Sequence, residues 1–193
     1  MAKWRDPTGF MKNEMPSTEM RDKKMEAERA LKALNFIVPI LEKFKFRWVI
    51  TGGFAAYVYG VDRPLTDIDV DVDTSAKDPA FQKFLEQVKP YTTQPLKHFV
   101  DGHYDNYNME LTVQGIVLDI CPMAEMNVVD KQTGKAEWFY KDGFPETERV
   151  DFKGVELPLL SKALLIKNKE QLLRDEFDQR DIDGLQKLVN GPM

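Results

Sequence analysis

One cysteine, Cys121, and two histidines, His98 and His103, are all that this chain of 193 residues offers to a zinc site of the usual Cys/His type. A lone cysteine excludes an internal disulfide and fits a reducing compartment. Three such side chains are too few for the usual four-ligand zinc set, so any metal here must be hard and held by oxygen. No run of about 18 apolar residues occurs, so no membrane partner is expected. The opening "MAKWRDPTGFMKNEMPSTEMRDKK" lacks the apolar core of a secretion signal, and its acids are foreign to organelle transit peptides. A cytoplasmic location is the expectation. Excess positive charge is missing too: 27 Lys and Arg stand against 32 Asp and Glu, a net charge of −5, which excludes a broad nonspecific grip on nucleic acid. What remains is 42% hydrophobic and 31% charged, the balance of an ordinary globular protein with one core.

Along the chain, residues 1–16 mix charge with Pro7, Gly9 and Pro16 without period and read as a loose extension. From Ser17 a helical pattern runs to about Phe44, and Pro39 is expected to kink or restart it. "FRWVIT" (46–51) reads as a strand, "FAAYVYG" (54–60) as a helix closing at Gly60, and "TDIDVDVD" (66–73) as a strand. "DPAFQKFLEQVKPY" (78–91) is an amphipathic helix with proline in its first turn. "NMELTV" and "IVLDIC" form a hairpin around Gln114 and Gly115. Residues 122–156 read as irregular up to a last strand in "FKGVELP", and 157–193 as helical. The fold class is α/β (α+β): a short mixed sheet backed by helices over 17–156, with a C-terminal helical lobe over 157–193 packed on it.

Asp67, Asp69, Asp71 and Asp73 alternate with Ile68, Val70 and Val72. In a strand, alternate side chains share a face, so these acids line one side and the aliphatics the other. Carboxylates held together repel, and Arg63 is the only cationic side chain between Gly53 and Asp73, which makes a divalent cation the simplest partner. The competing reading is a solvated edge strand whose acids discourage association. A calcium loop counted from Asp67 needs glycine and glutamate where Val72 and Asp78 stand. Upstream, Gly52 and Gly53 join a strand to a helix, where free amides suit a phosphate chain; the plain alternative is a tight turn. Neither a P-loop nor a dinucleotide fingerprint is present.

Taken together, "GGFAAYVYGVDRPLTDIDVDVD" resembles the signature of the DNA polymerase β-like nucleotidyltransferase superfamily, with thirteen residues between Gly53 and Asp67. Tyr59, Gly60, Arg63, Thr66, Asp67, Ile68 and Asp69 match the "YG..R.T.DID" run of its small stand-alone branch, which includes AbiEii-type toxins and lincosamide-resistance enzymes. Asp178, Asp181, Ile182 and Leu185 resemble that branch's C-terminal "D..DI..L". The resemblance implies a third acid on a later strand, Asp119, which on its own reads as a turn or capping residue. It implies Mg2+ (two ions, Mn2+ the alternative) on Asp67, Asp69 and Asp119, with Gly52, Gly53, Arg63, Thr66 and Lys167 on the nucleotide. A lysine on an amphipathic helix is otherwise simply solvated, and Asp71 and Asp73 are expected to be a solvated continuation of the strand. The implied activity moves a nucleoside monophosphate from an NTP to a small-molecule hydroxyl, a tRNA end or a protein side chain, and a toxin–antitoxin role is compatible with it. Two other classes stay open: a non-catalytic nucleotide-binding or regulatory module of the same fold, and a nuclease drawing on His98, His103 or Glu110.

Overall fold

A computed structural model of the chain describes residues 18–129, 135–172 and 175–191; the extension expected over 1–16 lies outside them. Helix α1 (Thr18–Lys43) buries Ala27, Ala30, Leu34, Ile37 and Leu41 on one stripe and runs unbroken through Pro39. Strand β1 (Trp48–Ile50) leads into α2 (Gly52–Tyr59), which ends at Gly60. There φ is 110°, a left-handed conformation open to glycine, and the Val61 N–H closes back on the Ala56 carbonyl at 3.0 Å. Strand β2 (Asp67–Val72) carries the alternating acids, and α3 (Pro79–Val88) starts on Asp78, whose Oδ1 accepts from the Ala80 N–H at 2.7 Å.

Strands β3 (Thr92–Val100), β4 (Tyr104–Val113) and β5 (Ile116–Pro122) follow. The expected β4–β5 hairpin turns on Gln114 and Gly115, both at positive φ (55° and 79°), the paired left-handed turn whose twist suits a hairpin. Residues 122–156 are more regular than expected: β6 (Asn127–Val129), β7 (Ala136–Trp138) and β8 (Thr147–Phe152) lie there. "FKGVELP" is a second hairpin corner, with Lys153 and Gly154 turning β8 into β9 (Val155–Leu160). Helices α4 (Lys162–Leu172) and α5 (Glu176–Asn190) close the chain.

All nine strands join one mixed sheet in the order β7-β6-β4-β5-β2-β1-β9-β8. Strand β3 pairs with the other edge of β4, since Asp105 faces both Val100 of β3 and Asn127 of β6. Strand β2 is interior, between β5 and β1, so the solvated-edge reading of its acids is excluded. Its other face is core: Ile68, Val70 and Val72 are fully buried with Leu118 and Ile120 of β5, and α1 packs against β4, β5 and β9. Each such side chain contributes about 1.5–3 kcal/mol. Anchored on that face, the strand holds its carboxylates on the other. No described helix is long and apolar enough to cross a membrane.

Candidate active site

Pairing sets the acids side by side. In the parallel ladder between β2 and β5, Asp69 lies opposite Asp119 and Asp71 opposite Cys121; across the antiparallel ladder to β4, Asp119 lies opposite Glu110. These side chains line a cleft of about 390 Å³ between the sheet and α4, with Gly52 at its rim. Asp67 stands one step along the same face, outside the cleft lining, and its Oδ1 accepts from the Thr66 hydroxyl at 3.0 Å.

Crowding shows in the protonation of the site. Burial raises the Asp119 carboxyl to about 6; Asn108, donating from Nδ2 at 3.3 Å, opposes that rise, while Glu110 and Asp67 add to it. Asp71 is raised further, to about 7, again by burial first; the Tyr140 hydroxyl, which donates to its Oδ2, works against the rise and Asp119 adds to it. Asp71 is therefore no solvated continuation of the strand. It is 5% exposed on the cleft floor, because Tyr140 folds over it from the segment after β7. Asp73 is exposed as expected and pairs with Arg47. Cys121, on β5 opposite Asp71, has its thiol pushed well up by burial, with Asp119 and Asp71 adding to the rise.

The glycine pair has two distinct uses. Gly52 sits at φ 60°, and a Cβ there would overlap the Asp69 carboxylate; a Cβ on Gly53 would run into the Arg63 guanidinium. Two side chains thus close on the start of α2, whose first turn carries no acid and no side-chain cap, leaving amides for an anion. Arg63 pairs with Asp181 of α5, so it binds the C-terminal helices to the glycine turn. Asp181 also takes Lys169 Nζ at 2.8 Å, and Asp178 takes it at 2.9 Å.

Lys169, 4% exposed, lines the cleft. Lys167 is exposed and borders a neighbouring pocket beside Tyr140 and Lys141. The sequence does carry a signal for Lys169: with Leu165 and Leu172 it falls on the apolar stripe of α4, where a lysine must be paired. The structure thus brings Asp69, Asp119 and Gly52 together, keeps Asp67 and Thr66 at the edge, puts Gly53 and Arg63 behind the turn, and leaves Lys167 outside.

The donor set, carboxylate oxygens of Asp69 and Asp119 side by side, suits a hard cation. Among the described residues, no group of three or more Asp, Glu, His or Cys side chains is placed to hold a metal ion.

No protein-family model and no curated protein matches the sequence. Solved structures do. TM1012 of Thermotoga maritima, described as a nucleotidyltransferase, aligns over 86% of this chain and 95% of its own at a TM-score of 0.62 and 19% identity. The lincosamide adenylyltransferase LnuA, solved with lincomycin bound, aligns over 81% of this chain and 96% of its own, at 0.50 and 22%. ANT(2'')-Ia, solved with adenylyl-2''-tobramycin, aligns over 86% and 88%, at 0.51 and 14%. At this level of identity the likeness shows the fold alone: the chain has a nucleotidyltransferase-like fold, a mixed sheet backed by helices with α4 and α5 at its C-terminal end.

Proposed function

We propose that the protein transfers a nucleoside monophosphate from an NTP to a hydroxyl acceptor, with magnesium bound. The observation that carries this is the register of Asp69 against Asp119 beside the uncapped start of α2. The likeness to adenylyltransferases such as LnuA and ANT(2'')-Ia supports it. In this reading Asp69 and Asp119, side by side on β2 and β5, would hold the metal together with the substrate's phosphates, with Asp67 at the edge adding negative charge and manganese as substitute; when bound, the ion would neutralise the triphosphate and polarise the reacting phosphate. The amides of Gly52 and Gly53 receive phosphate oxygens, and Gly52, lacking a side chain, lets them approach Asp69. Arg63 fixes that turn through Asp181. The Asp119 carboxylate takes the acceptor's hydroxyl proton. The single cysteine supports placing this enzyme in the cytoplasm, and a toxin–antitoxin role is compatible with the reading.

Calorimetry with ATP, GTP, CTP and UTP, with and without Mg2+, tests the reading. Nucleotide affinity at least about tenfold higher with Mg2+ is expected. Equal affinity in both conditions would sink it, and NTP binding without pyrophosphate release in cell extract would favour the non-catalytic module.

A further inference from the structure

The cleft is longer than a phosphate and metal site requires. The row that pairs Asp69 with Asp119 continues to Glu110 on β4 and Gln94 on β3. Further along β4, Asn106 faces the same cleft; it is 6% exposed, and its Oδ1 has no hydrogen-bond donor among the described residues. A buried acceptor left unpaired is costly, and a donor brought by a ligand removes that cost. The Glu110 carboxylate, half-buried on the same wall, has no donor or cation paired with it among the described residues. Of the two lysines at the cleft, Lys169 is consumed by Asp178 and Asp181, and Lys97 stands exposed opposite Asn108. The wall therefore presents the Asn106 oxygen and the Glu110 carboxylate beside the reacting carboxylates, with Lys97 as its exposed cation. A phosphate-bearing acceptor would meet repulsion from those carboxylates; a donor-rich neutral or cationic one would not.

We propose that the β3–β4 wall is the acceptor subsite, and that the acceptor is a small hydroxyl compound rich in hydrogen-bond donors and free of phosphate, held by Glu110 and Asn106. This deepens the transfer reading above and rests on it. In the step, the acceptor oxygen bonds to the α-phosphorus and the bond from that phosphorus to the bridging oxygen breaks. Pyrophosphate leaves with that oxygen, and the hydroxyl proton passes to a carboxylate and then to solvent.

The test incubates the full chain with Mg2+, α-labelled NTP and cell extract, then separates acid-soluble from acid-precipitable label. Soluble product is cleaved with phosphodiesterase, and the released acceptor is passed over an anion exchanger. Label in the soluble fraction, an acceptor that flows through, and about tenfold or greater loss of transfer at limiting extract in Glu110→Gln, with unchanged Mg-NTP affinity, are expected. Asn106→Leu serves as a second variant with the same expected pattern. Label in RNA or protein, an acceptor retained on the exchanger, or wild-type transfer by both variants overturns the assignment while leaving nucleotidyl transfer standing. Absence of transfer to any fraction refutes the transfer reading itself, and the subsite falls with it.

Discussion

Replacing Asp119 with asparagine should make the metal-free protein more stable. Burial raises this carboxyl from its ordinary 3.8 to about 6, with Glu110 and Asp67 adding to the effect. At ~1.4 kcal/mol for each tenfold change in proton affinity, that rise amounts to about 3 kcal/mol, and residual solvent access reduces it to about 2 kcal/mol. The folded state holds the proton more tightly than the unfolded chain. Stability is therefore lost as pH rises from about 4 to about 6 and stays lost above that. Asparagine keeps the shape, can still accept from Asn108, and also relieves Asp71. At pH 8 in EDTA, Asp119→Asn should melt about 4–8 °C above wild type for a chain of this length. The gap should close near pH 4. Added Mg2+ and NTP should raise the wild type more than the variant. A variant that melts below wild type at pH 8, or a gap independent of pH, would refute the claim that the acids are crowded.

Gly52→Ala forces a Cβ onto Asp69 at a φ of 60°; it should cost about 1–2 kcal/mol in denaturant melts and weaken Mg-NTP binding in calorimetry, and intact binding would detach the turn from the acids. Lys169→Met removes the ammonium shared by the buried Asp178 and Asp181, the latter still paired with Arg63, and should destabilise the fold by about 3–5 kcal/mol in urea. Tyr140→Phe removes a donor to Asp71, so that carboxyl should rise above about 7, with the stability loss confined to higher pH; carboxyl NMR titration reads it. Lys167→Ala should leave Mg-NTP affinity within about twofold of wild type, because the side chain borders the neighbouring pocket.

Strand β2 was legible because a strict two-residue alternation has one structural solution, and the hairpin at Gln114 and Gly115 because few residue pairs accept two positive φ values in succession. Strand β3 was not: Pro95 interrupts it and its polar residues show no contrast between faces. The three-residue strands β6 and β7 are too short to display any period. In the site, the facing of Asp69 and Asp119 was foreseeable only through the resemblance, since register between distant strands is written in neither strand alone. Nothing local distinguishes Asp71 from Asp73. The difference is made by Tyr140, 69 residues away, and by Arg47 at the solvent edge. Lys169 was visible as a charge on an apolar stripe, a cue outweighed by the more ordinary-looking Lys167.

Arg63 meets its counter-charge, Asp181, across 118 residues of chain. During synthesis from the N-terminus, the acidic half of the sheet, β2, β5 and β4, can pair long before β9, α4 and α5 emerge. Over that interval Arg63 has no partner on α5, and Lys169, which will line the cleft, has yet to be made. Under the proposed transfer reading, nucleotide handling would depend on the last helix: a ribosome-bound or prematurely terminated chain carries the carboxylates without the Arg63–Asp181 pair at the glycine turn, and gains it only when the C-terminal segment docks.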